Sequence, residues 1–110
     1  MAAIPSEGVR FRMAALTNPQ IRKLKGLAQR MDATLKVGKQ GLSDPFIKSL
    51  DQELTRHELV KVKFAEFKDQ KKQLAPQLAD KTNSQLITLL GNVAVIFRRN
   101  PDPQKQRIQF

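Results

Sequence analysis

Residues 37–43 read Val37-Gly38-Lys39-Gln40-Gly41-Leu42-Ser43. On the approach, Thr34-Leu35-Lys36-Val37 is short, alternating and rich in β-formers, which predicts a strand that ends at Gly38. On the exit, Ser43-Asp44-Pro45 supplies a cap, an acidic first-turn residue and a proline that a helix tolerates early. Phe46, Ile47, Leu50 and Leu54 then form an apolar stripe, so a helix is predicted over 44–56. The seven residues are thus a strand-to-helix junction, with two glycines bracketing Lys39 and Gln40. Glycine permits positive φ and close approach of a second backbone, and free amides at a helix start attract negative charge. Lys39 adds a cation; Gln40 adds donors and an acceptor that can reach a phosphate, a 2′-hydroxyl or a base edge. Neither G-x-x-x-x-G-K-[ST] nor G-x-G-x-x-G spacing occurs, so a held nucleoside triphosphate is excluded.

Upstream, Thr17-Asn18-Pro19-Gln20 is a capping box with proline at the start, and opens a helix that runs to about Arg30. Ile21, Leu24, Leu27, Ala28 and Met31 share one side of it; Arg22, Lys23, Lys25 and Arg30 occupy the remainder. Downstream, Leu59 to Phe64 alternates with Val60, Val62 and Phe64 on one face and Lys61 and Lys63 on the other, a second strand. Asp69 is positioned to cap a third helix reaching Lys81, with Leu74, Ala75, Leu78 and Ala79 buried. Pro76 predicts a kink there or a late start. Leu86 to Leu90 and Val93 to Phe97 flank Gly91-Asn92 as a hairpin. Both arms are apolar on both faces, which predicts strands inside a covered sheet. The fold class is α/β, a single compact domain in the order α-β-α-β-α-β-β, with a four-stranded mixed sheet and three helices. The domain is expected over 16–99, between a flexible tail at 1–15 and a polar, mobile tail at 100–110.

Twenty Lys and Arg against ten Asp and Glu leave a net charge of +10, an excess that points to a polyanionic partner, nucleic acid first. The absence of cysteine excludes disulfides, thiolate nucleophiles and cysteine metal sites, and suits a reducing compartment. The longest apolar stretch, Leu86 to Phe97, is broken at Gly91-Asn92 and too short for a membrane span, and Met1 to Arg12 lacks the apolar core of a secretion signal. No membrane partner, cofactor or metal is therefore expected. His57 is the one histidine; at a helix end it suits the dipole better than it suits catalysis. Glu58 and Asp32 are expected as solvated loop acids, and no carboxylate spacing predicts a metal-dependent nuclease. With no Tyr or Trp, and Phe64 and Phe97 expected in the core, the strands lack the aromatic platform of an RRM.

Four segments together carry a resemblance: Leu16 to Ala28, Val37 to Ser43, His57 to Lys63, and Leu89 to Arg98. In that order they resemble the CRM domain, the chloroplast RNA splicing and ribosome maturation module, in its stand-alone YhbY-like form. The resemblance implies a fold similar to the C-terminal domain of translation initiation factor three. It also implies RNA binding by Gly38, Lys39, Gln40 and Gly41 with the adjoining basic surface of Arg22, Lys23 and Lys25, and Arg98 as the basic residue closing the last strand; Arg30 and Lys36 are further candidate RNA contacts. The implied partner is ribosomal RNA in precursors of the large subunit, bound by a monomer in the cytoplasm or an organellar stroma. A group II intron cofactor is the alternative of the same kind, and a small hydrolase the alternative of another kind. The chain departs from the family pattern at Gln40, where asparagine is frequent, at Phe97, where tyrosine is frequent, and at Pro76.

Overall fold

The computed structural model describes residues 16–108. Helix α1 (Asn18–Gln29) opens on the capping box: Gln20 N–H donates to Thr17 Oγ1 at 3.3 Å, and Thr17 N–H donates back to Gln20 Oε1 at 2.8 Å. Strand β1 (Leu35–Val37) leads through the glycine turn into α2 (Asp44–His57), and β2 (Leu59–Phe64) follows. A 3-10 turn (Lys68–Gln70) enters α3 (Lys71–Lys81), and the hairpin β3 (Gln85–Leu90) and β4 (Val93–Phe97) completes the sheet. The strand order is β1-β2-β4-β3, with β1 parallel to β2 and the remaining pairs antiparallel.

The period-two pattern of β2 decides what covers each face. Val60, Val62 and Phe64 point one way, into a core with Leu50 and Leu54 of α2, Ala75 and Leu78 of α3, and Ala94 and Ile96 of β4. Leu59 points the other way, joining Val95 and Phe97 beneath Leu24 and Ala28 of α1. Two helices cover one face and one helix covers the other. Each buried Leu, Val, Ile or Phe contributes about 1.5–3 kcal/mol, so α1 depends heavily on Leu24, the large side chain it buries completely.

Four expectations need correction. Of the hairpin arms, β4 lies inside the sheet, but β3 is its edge: residues 85–89 are half-buried and Leu90 is 62% exposed. Its two-sided apolarity arises from a bulge, because the register slips between Leu86 and Thr88. Leu86 and Leu89 consequently reach the α2–α3 core while Ile87 reaches the α1 side. Asp69 does not cap α3: it is taken up in the 3-10 turn, the α-helical path begins at Lys71 with Pro76 inside it, and Gln70 at the cap position makes no side-chain capping bond. Glu58 is no solvated acid. It is fully buried at φ 64°, and its carboxylate accepts the backbone N–H groups of Asn100 at 2.6 Å, Arg107 at 2.8 Å and Ile108 at 3.2 Å. Those bonds draw the segment after β4 back onto the domain, where Arg99 meets Gln106 and Arg107 meets the Arg56 carbonyl, so residues 100–108 are anchored. Asp32 is exposed as expected, and the tail at 1–15 lies outside the described residues.

Candidate nucleic-acid interface

The glycine turn closes on itself: Gly41 N–H donates to the Gly38 carbonyl at 3.0 Å, and Gly41 sits at φ +65°. Gly38, Lys39 and Gln40 are exposed, and the Lys39 and Gln40 amides donate no backbone bond among the described residues. The helix that follows contributes less than its sequence suggests. Ser43 Oγ accepts Phe46 N–H at 3.4 Å, Pro45 has no N–H, and Asp44 puts a carboxylate at the first turn. Anion attraction at this junction must come from the turn and its cations.

Opposite the turn stands the loop that leaves β2. Glu66 N–H donates to the Val37 carbonyl at 3.0 Å, which holds the two loops side by side. Phe67 then adopts left-handed backbone (φ 58°, ψ 33°) and lays its ring against Gly41, where a Cβ would come within 3.4 Å of the ring. Phe67 is 40% exposed and borders a shallow recess of about 560 Å³ shared with Lys39 and Lys68 and with the carboxylates of Glu66 and Asp69. Phe64 and Phe97, by contrast, are buried as the sequence predicts. The hairpin turn belongs to the same end of the sheet, since Phe64 N–H donates to the Asn92 carbonyl at 2.7 Å and Lys71 Nζ donates to Asn92 Oδ1 at 3.0 Å.

Register brings further cations to this region. Lys36 of β1 stands directly opposite Lys63 of β2; both are exposed, and both leave the sheet on the α1 side. Neither takes part in an ion pair among the described residues. Lys61 shares that face but is half-buried, donating from Nζ to the Met31 carbonyl at 2.9 Å. On α1 itself Arg22, Lys23 and Lys25 are exposed, and Arg30 is exposed at the C-cap.

Arg98 does not join them. Its guanidinium reaches Asp51 Oδ1 at 2.5 Å, and the Thr82 carbonyl, the Asp51 carbonyl and Thr55 Oγ1 each at 2.8 Å, an internal clasp between α2 and the end of α3. It also follows Phe97, which pairs with Leu59 at the start of β2, whereas the glycine turn adjoins Phe64 at its end. At about 3.3 Å per residue those ends are roughly 17 Å apart. His57 closes α2 half-exposed, with Nε2 3.7 Å from Glu53 Oε1, and no cluster of three His, Cys, Asp or Glu able to hold a metal occurs among the described residues. No described helix is long and apolar enough to cross a membrane.

The sequence indicates the glycine pair and the cationic side of α1, and leaves Lys61 and Lys63 open between phosphate contacts and an ordinary solvated sheet face, because the residue opposite each is set by register. It misses Phe67, since a lone aromatic among charged residues has no period.

The chain is similar to proteins named for RNA binding. A Pseudomonas aeruginosa protein named as a probable RNA-binding protein is 33% identical over 92 residues, covering 83% of this chain and 88% of that one. A Bacillus subtilis protein, also named as a probable RNA-binding protein, is 31% identical over 88 residues, covering 79% and 92%. The solution structure of a Staphylococcus aureus protein, a hypothetical protein described as a candidate for RNA binding, superposes with a TM-score of 0.69 at 34% identity, over 86% of this chain and 99% of that one. None of the three carries an enzyme's name. The CRS1 / YhbY (CRM) domain matches residues 16–98, the span that holds the turn, the lysine pair and the three described helices, and the chain belongs to that family.

Proposed function

We propose that the protein binds structured RNA by taking a sugar-phosphate strand across the Gly38–Gly41 turn and the cationic face beside it, and that its target is ribosomal RNA in precursors of the large subunit. One observation carries the reading: Lys36 and Lys63 face each other across β1 and β2, beside the turn, and neither makes an ion pair among the described residues. Like charges placed opposite in a sheet are destabilising, and a polyanion relieves that repulsion while releasing its own counterions. The exposed amides of the turn and the outer cations of α1 extend the footprint, and the relatives' names agree with an RNA partner. The large-subunit precursor is the target that the family resemblance implies. The working unit is taken as a monomer in a reducing, cytosol-like compartment, which a chain without cysteine suits.

Two measurements test this. RNA titration at several salt concentrations is expected to give an affinity that falls steeply with salt, and sedimentation of extracts is expected to place the protein with large-subunit precursors. Absence of binding at low salt would remove the RNA reading, and co-purification with intron RNA instead would move the target.

A further inference from the structure

We propose that Phe67 is a stacking platform for an unpaired nucleobase, held beside the Gly38–Gly41 turn so that one RNA segment places its phosphates on the turn and a base on the ring; this rests on the RNA reading above.

Two features of Phe67 are not explained by packing in the core. The residue is 40% exposed, whereas the core buries Phe64 and Phe97 almost completely. Its backbone is left-handed at φ 58°, a conformation that a bulky side chain rarely adopts and that costs stability unless its surroundings impose it. Any residue built for that conformation alone would be Gly or Asn. Here the turn presents an aromatic ring to solvent at the mouth of the interface.

The ring's surroundings fit a base and its phosphates. One edge rests against Gly41, where an added Cβ would touch the ring at 3.4 Å, so the glycine and the ring fix each other's positions. The recess of about 560 Å³ alongside the ring is bordered by Lys39 and Lys68, by the carboxylates of Glu66 and Asp69, which leave the phosphates to the turn and Lys39, and by Gln70, whose amide can pair with a base edge. Every base has a π-face, so such a platform accepts unpaired bases without reading their identity, while a base locked in a duplex cannot reach it. The expected ligand is therefore RNA with an open loop, bulge or end, in preference to a continuous duplex.

The test compares two RNAs of equal phosphate number, a hairpin with an open loop and a blunt duplex, against wild type, Phe67→Leu and Phe67→Trp. Leucine keeps an apolar side chain at the same strained φ but has no π-face, so folding is expected to match wild type by thermal unfolding. Phe67→Leu is expected to weaken hairpin binding roughly tenfold and duplex binding less than about twofold. The chain has no tryptophan, so Phe67→Trp adds a single fluorophore; the hairpin is expected to quench it and the duplex to leave it bright. Wild-type binding with equal hairpin affinity for Phe67→Leu, or equal loss for both RNAs, overturns the platform and leaves the RNA reading standing. Wild type binding neither RNA overturns both.

Discussion

Gly38 and Gly41 look equivalent as letters and differ as physical objects. Gly41 is at φ +65° with Phe67 in contact, whereas a Cβ on Gly38 would meet nothing within 4 Å and its φ lies outside the left-handed range. Gly41→Ala is expected to cost about 1 kcal/mol in urea unfolding and Gly38→Ala less than about 0.5 kcal/mol. The glycine pair was legible as a loop; the division between the two required the turn's hydrogen bond. Lys39→Asp, at the exposed tip, is expected to weaken RNA binding tenfold or more with unchanged unfolding midpoint, since that side chain makes no ion pair among the described residues. Glu58 is the opposite kind of residue. Three backbone amides end on its buried carboxylate, so Glu58→Ala is expected to cost about 3 kcal/mol in the same unfolding assay. No local pattern reveals this, because Glu58 precedes a strand by one residue and its partners lie beyond the last strand.

At the scale of elements, capping and period were the reliable signals. Thr17 with Gln20 and Ser43 with Phe46 fix the starts of α1 and α2 as their sequences predict. Capping failed for α3, where Asp69 enters a 3-10 turn, and period failed for β3, where the bulge at Ile87 lets an edge strand look like a central one. What β1 and β2 do together was not legible in either: Lys36 opposes Lys63 only because Val37 pairs with Phe64. Helix α1 makes an element-level prediction. Replacing Arg22 and Lys25 together by Ala, two exposed positions on its outer side, is expected to reduce the slope of log affinity against log salt by up to about two units, at about 0.7–0.9 per phosphate contact. An unchanged slope would show that RNA avoids this helix.

Across the whole molecule, the two ends of the sheet divide the labour. One end gathers the glycine turn, the Phe67 loop and the β3–β4 turn. The other is a structural knot in which Arg98 joins α2 to α3 and Glu58 retains residues 100–108. A basic residue closing the last strand reads from sequence as part of the interface, but four internal hydrogen bonds employ its guanidinium. Arg98→Ala is accordingly expected to lower stability by about 2–3 kcal/mol and to leave RNA affinity within about twofold under conditions where the protein is folded. The central claim, that RNA lies along the turn and the α1 side of β1 and β2, is tested most directly by lysine-reactivity footprinting with and without bound RNA. Protection of Lys36, Lys39 and Lys63, with Lys48 on α2 and Lys81 at the end of α3 still reactive, is the predicted result. Protection of Lys48 and Lys81 with Lys36, Lys39 and Lys63 left reactive would contradict it.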